Sequence, residues 1–135
     1  MLMAGGMIAV VDPRTIDPCS DTRAYNQSAG NAFGYYYQDG KKYTNGASGA
    51  AYGATFTNGD KIGIYINGGT VYLAKNNALQ NSASEAEVTN GTTTNAFTTG
   101  GGGYVLAVLG AGGNNPVADL KTVSTDWEYT PFGGF

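Results

Sequence analysis

The chain has 135 residues, enough for one domain spanning 1–135 and too few for a second core. Gly, Thr and Asn supply 22, 15 and 12 of them, types that favour turns and strands over helix interiors, which excludes a helical bundle; ten Tyr and five Phe provide the large apolar groups that disordered chains lack. Charged residues are only 13%, the net charge is −3, and the one adjacent basic pair is Lys41-Lys42, which excludes nucleic acid as a partner.

The first apolar run, 7–11, reads as a strand that stops at Asp12-Pro13, because proline cannot donate to a ladder. Residues 12–31 hold two prolines and three aspartates without a period, long for a plain connector and therefore a candidate functional loop. Strand character resumes at 33–37. Asp39-Gly40 then signals a two-residue hairpin turn with positive φ at both central positions, and 42–44 returns. Residues 45–53 are small and read as flexible, and Asn58-Gly59-Asp60 marks another tight turn. The clearest hairpin follows: Ile62, Ile64 and Ile66 alternate with Lys61, Gly63 and Tyr65, Asn67-Gly68-Gly69 turns the chain, and 70–75 returns with Val71 and Leu73 on one face and Tyr72 on the other. The 76–103 stretch is predicted to carry one irregular strand anchored by Leu79, Val88 and Phe97. The apolar run 104–109 reads as a covered strand, 110–116 as a turn, 120–127 as a last strand and 129–135 as an aromatic tail. The longest nearly apolar run, 104–111, is eight residues against the roughly 20 a membrane-spanning helix needs, and the start shows no secretory leader, so a soluble chain without membrane insertion is expected. Short strands punctuated by Gly and Asn predict an all-β fold, an antiparallel two-sheet β-sandwich.

Three segments carry a recognisable pattern. Phe33-Gly34-Tyr35 with Asp39-Gly40-Lys41-Lys42-Tyr43 and Asn45-Gly46, then Tyr52-Gly53 with Gly59-Asp60-Lys61-Ile62-Gly63, and on to Lys75-Asn76, resemble the SPRY domain. The close Tyr129-Thr130-Pro131-Phe132-Gly133-Gly134-Phe135 resembles the ending of SPRY domains in phage and bacterial structural proteins. The resemblance covers roughly residues 5 to 135 and implies a concanavalin-like jelly roll of two antiparallel sheets. Such domains normally begin with an aromatic-rich strand upstream of Met7, which has no counterpart here. The 7–11 strand is therefore expected at an open edge, completed by a second copy or by another chain.

The chemistry of the side chains points away from catalysis. The chain has no His, which removes His-based triads and His metal sites. Glu85 and Glu87 would share a face about 6.6 to 6.8 Å apart if they lay on a strand, the arrangement of a retaining glycosidase pair; without a sugar-stacking Trp beside them they read as part of a solvated loop. Asp12, Asp17 and Asp21 share one loop, as calcium ligands of lectin-like sandwiches do, but lack EF-hand spacing and read as turn formers. Cys19, the single cysteine, forms no intrachain disulfide and reads as inert. Alternation sends Tyr35 and Tyr37 to one face and Tyr36 to the other, so only part of the tyrosine set can meet a ligand.

No catalytic residue, cofactor or metal is expected. Within the 12–31 loop, Arg23 and Tyr25 are the residues expected to touch a partner, since Arg and Tyr anchor interfaces. The expected function is that of a non-enzymatic virion protein, a phage capsid decoration or tail-fibre module docking on another virion protein or a host surface. The alternatives are a lectin-like carbohydrate module and a SPRY interaction domain of a cellular, cytoplasmic protein.

Overall fold

A computed structural model describes residues 6–11, 32–44, 49–92, 97–98, 105–110, 121 and 128–132. The 12–31 loop, with Arg23, Tyr25, Cys19 and its aspartates, lies outside the described residues, as do the expected 110–116 turn beyond Gly110 and the expected 120–127 strand except Lys121. The elements in chain order are β1 (Gly6–Val11), β2 (Ala32–Tyr36), β3 (Lys42–Thr44), β4 (Ile62–Asn67), β5 (Thr70–Lys75), β6 (Ala78–Leu79), α1 (Glu85–Asn90), β7 (Phe97–Thr98) and β8 (Val105–Gly110). Among the described residues they form two antiparallel sheets with almost no helix: β3-β2-β1-β8 in one, and β4-β5-β6 in the other with β7 also on β5.

The expectation that 7–11 sits at an open edge is corrected by this order. β1 is central, with Ile8 opposite Tyr35 of β2 on one side and Val108 of β8 on the other, so its backbone groups are spent inside the chain. Edge or centre is decided by which distant strand arrives, and β8 begins almost a hundred residues later in the sequence.

The β2–β3 connection also differs from the two-residue turn expected of Asp39-Gly40. Tyr36 accepts from the Gly40 N–H (3.1 Å) and donates to the Lys41 carbonyl (3.0 Å), so one residue opposes two across a three-residue loop. Gly40 takes the left-handed conformation this bulge needs (φ +64°), and Asp39 has negative φ. Residues 49–53, expected to be flexible, are bound instead: Lys42 N–H donates to Ala50, and the N–H groups of Tyr52 and Gly53 both donate to the Gly40 carbonyl, at 3.0 and 2.9 Å. The β4–β5 hairpin follows the sequence reading. Asn67 pairs with Thr70 across Gly68 and Gly69, both at positive φ (55° and 93°), which matches a two-residue turn to strand twist.

One buried cluster draws on both sheets: Ile8 and Val10 of β1, Phe33 and Tyr35 of β2, Val71 and Leu73 of β5, and Tyr52 and Phe56 from the irregular segment between them. Tyr35 packs edge-on against Tyr52 and tilted against Phe56, with centroids 5.6 and 4.9 Å apart. The other face of β5 buries Tyr72 against Val88 of α1, with Tyr65, Leu79 and Ala83 around them.

α1 replaces the strand or loop expected around Glu85 and Glu87. Ser84 is its N-cap, and a capping box joins the two ends of the first turn: Glu87 N–H donates to Ser84 Oγ (3.3 Å) and Ser84 N–H donates to Glu87 Oε2 (2.7 Å). Six residues are too few for a helix to persist alone, so packing must hold it. Val88 supplies the packing. The Asn67 amide donates to the Val88 and Thr89 carbonyls (3.1 and 2.9 Å), and the Tyr72 hydroxyl is directed at the Glu87 and Thr92 carbonyls.

Candidate functional site

Two side-chain constellations stand out, and the motif residues of the sequence fall into both. The first lies at the base of the β4–β5 hairpin. Asp60 Oδ2 accepts from the Thr57 N–H (2.7 Å) and from Lys75 Nζ (3.1 Å), while Oδ1 accepts from the Asn76 amide (2.6 Å). Asn76 returns the connection: its Oδ1 accepts from Lys61 N–H and its own N–H donates to the Lys61 carbonyl, at 2.9 and 2.8 Å. Lys75 Nζ also donates to the Thr55 carbonyl (2.7 Å). Burial by itself would raise the Asp60 pKa, but the hydrogen bonds from Thr57, Asn76 and Lys75 together with the lysine charge outweigh it and hold the carboxyl below its ordinary value. Both oxygens of this carboxylate are engaged by the chain. The Gly-Asp and Lys-Asn pairs of the motif therefore act as a fastener between turn and strand end, not as a ligand site.

A second fastener is buried. Gln80 Oε1 accepts from Ala54 N–H, its Nε2 donates to the Ala78 carbonyl (both 2.8 Å), and the Tyr35 hydroxyl donates to the Ala54 carbonyl beside it. Tyr52 Oη accepts from Leu73 N–H at 3.3 Å. Burial, reinforced by the phenol of Tyr52 and the carboxylate of Asp60, pushes the Tyr35 hydroxyl well above the usual tyrosine range. Burial pushes Tyr52 up to about 12, with the Leu73 N–H drawing it partly back. Both phenols stay neutral and work as hydrogen-bonding struts.

The other constellation is at the surface of the β2–β3 hairpin. Strand alternation puts Tyr36 and Tyr43 on the face away from the shared core. Their rings meet edge to face at 5.9 Å, and Tyr37 adds a second edge contact to Tyr36 at 5.1 Å. Tyr37 leans on Phe56 and so ties this ridge to the core. Polar groups are set among the rings: Tyr36 Oη donates to Gln38 Oε1 (2.8 Å), Tyr43 Oη donates to Asp39 Oδ2 (3.2 Å), and Asp39 Oδ1 accepts from Lys41 N–H (3.0 Å) with the Lys41 ammonium 3.7 Å from Oδ2. All three rings are half-buried. The result is a rigid, partly exposed aromatic ridge edged by a carboxylate, an amide and an ammonium, suited to recognition by stacking and hydrogen bonding.

Alternation separated Tyr36 from Tyr35, and the core seated on Tyr35 decides that Tyr36 is the outward one. The role of Asp39 as the hub beneath Tyr43 was missed, although Asp before Gly in a turn is the usual signal for a side chain that folds back on nearby N–H groups. The glycosidase-like pair does not form: Glu87 is engaged by Ser84, and two residues apart on a helix point in widely different directions. Among the described residues no three His, Cys, Asp or Glu side chains gather as a metal site. No protein-family model, curated protein or solved structure matches the chain.

Proposed function

We propose that the chain is a non-enzymatic structural protein of a virion, a capsid decoration or tail-fibre module. In this reading its two sheets stack face to face as a SPRY-like, concanavalin-type jelly roll that docks on another virion protein or a host surface. The observation that carries the proposal is the division of labour among the motif residues. Asp60, Lys75 and Asn76 are consumed by internal fastening, whereas the Tyr36–Tyr43 ridge of the same motif is left partly exposed on a hairpin held by Gly40. A chain with few charges and a Gly-, Asn- and Thr-rich composition suits packing against a neighbour through such a ridge. The test is mass spectrometry of density-purified particles released by cells carrying the gene, with gold-labelled antibody to locate the protein. Peptides in amounts comparable to other shell or tail components are expected; a protein abundant in the lysate but removed from particles by washing overturns the proposal.

The second reading, a carbohydrate-binding module, is favoured by the Tyr36 and Tyr43 rings lying beside the Asp39 carboxylate. Saturable binding on a glycan array that disappears in Tyr36→Ala and Tyr43→Ala would select it over docking on protein.

A further inference from the structure

The β4–β5 hairpin leaves one strand edge whose chemistry is specific. Its closing pair is Asn67–Thr70, and at the far end Asn76 N–H donates to the Lys61 carbonyl, so the hydrogen-bonded positions of β4 are 61, 63, 65 and 67. The N–H and C=O groups of Ile62, Ile64 and Ile66 therefore point away from β5. Consistently, Leu73, opposite Ile64, spends its own groups in the other direction, accepting from Gln80 N–H and donating to Tyr52 Oη. Among the described residues β4 pairs only with β5. Natural edges are blunted by proline, bulges or inward charges, and the β3 edge of this protein is covered by the 50–53 segment. Among the described residues β4 carries no proline, bulge or inward charge, and the 128–132 segment packs on the Lys61 and Tyr65 side chains, through the Lys61–Glu128 ion pair (2.5 Å) and the Tyr65–Phe132 rings (5.7 Å). β4 carries three isoleucines on one face, and Ile66 is 45% exposed, the most exposed large apolar side chain among the described residues.

We propose that this edge pairs with the same edge of a second copy of the chain, antiparallel, about a two-fold axis beside Ile64. The strand is self-complementary in that register. Ile64 lies opposite the second copy's Ile64, and Ile62 lies opposite the second copy's Ile66, so the three outward N–H and C=O pairs of each strand find one another and the exposed Ile66 is covered by an isoleucine. Lys61, whose ammonium is already paired with Glu128 of its own chain, lies opposite the second copy's Asn67, so no lysine meets a lysine. Gly63, over which the chain's own Tyr65 ring already folds, lies opposite the second copy's Tyr65. The pairing joins β4-β5-β6 to its mate as one continuous sheet. A contact about six residues long is about 20 Å in length and falls below the roughly 800 Å² per partner of standard interfaces, which places the dimer in the micromolar class. The proposal does not depend on the virion reading.

Sedimentation of the full chain from about 5 to 500 µM, with residue-resolved amide exchange by NMR at both ends of the range, tests it. The expected result is a doubling of mass with concentration, accompanied by new protection at the Ile62, Ile64 and Ile66 amides, while Gly63 and Tyr65 are protected throughout. Ile66→Lys, at an exposed position, is expected to keep the melting temperature and weaken association at least about tenfold. A chain that stays monomeric, a dimer that leaves those three amides exchanging, or an Ile66→Lys protein that dimerises as tightly as the parent each overturns the proposal. A monomer also leaves the edge to a strand of a different protein.

Discussion

Gly40 is where backbone conformation and packing can be separated by mutation. Its φ is +64°, and a methyl group added there would lie 2.0 Å from the Gly53 carbonyl oxygen and 3.2 Å from the Ala54 carbonyl carbon. Carbon–oxygen contacts settle near 3.3 Å or more, so the two segments would have to part by over an ångström. That movement pulls on the hydrogen bonds the Gly40 carbonyl receives from Tyr52 and Gly53. Left-handed backbone costs a non-glycine residue about 1–2 kcal/mol. Losing two hydrogen bonds worth about 1 kcal/mol each brings Gly40→Ala to about 3–4 kcal/mol. Gly59 is the control: its φ is +96° and nothing lies within 4 Å of a methyl placed on it, so Gly59→Ala should cost only the conformational part. Urea and thermal unfolding followed by circular dichroism measure both. At about 3–4 °C per kcal/mol for a chain of this size, Gly40→Ala should lower Tm by about 9–16 °C and Gly59→Ala by about 3–8 °C. Equal effects, within about 1 kcal/mol of one another, would refute the close approach of 40 and 53.

Val88→Ala removes a fully buried side chain beneath Tyr72 and should cost about 2–3 kcal/mol, with α1 amides exchanging faster than those of β5 in hydrogen-exchange measurements; uniform exchange across both elements would show that the helix is not held by that contact. Stability should also fall at both ends of the pH scale. Asp60 has a depressed folded pKa, so its contribution is complete above the ordinary Asp value of about 4 and drains away as pH falls through the folded value, and Asp60→Asn should flatten this acid limb of the stability profile. Tyr35 and Tyr52 have raised folded values, so their contribution is complete below about 10 and is lost as pH rises through the folded value, near 12 for Tyr52. Absorbance at the phenolate band should show these two rings ionising only with unfolding; ionisation near 10 in the folded chain would contradict their burial.

The β4–β5 hairpin was legible in the sequence because its determinants are local. Gly68 and Gly69 adopt the turn whatever the rest of the chain does, and a period of two puts Val71 and Leu73 on one face and Tyr72 on the other. The placing of Tyr35 and Tyr36 on opposite faces followed from the same period, whereas Tyr52 and Phe56 decide that Tyr35 is the buried one. α1 was written in Ser84-Glu85-Ala86-Glu87, a capping-box spacing, but six residues do not make a helix without Val88 seated on Tyr72 and Asn67 holding the last carbonyls. Those partners lie 16 to 22 residues away in sequence. The Asp60 fastener is hidden for the same reason: a Gly-Asp turn and a Lys-Asn strand end are ordinary pieces until the hairpin brings them to 2.6 and 3.1 Å. The expected partner residues Arg23 and Tyr25 lie outside the described residues, and the Tyr36–Tyr43 ridge is a partly exposed aromatic cluster among the described ones. By itself the sequence determined the strands around 7–11, 33–36, 42–44, 62–66, 70–75 and 105–109, the β4–β5 turn and which side chains share a face within these strands, because these depend on neighbours within a few residues. Tertiary structure alone decided that β1 is central and that β4 is an edge among the described residues, and it alone determined which carboxylates serve as fasteners. Both depend on pairings between distant segments, and local pattern does not encode which strand arrives beside which.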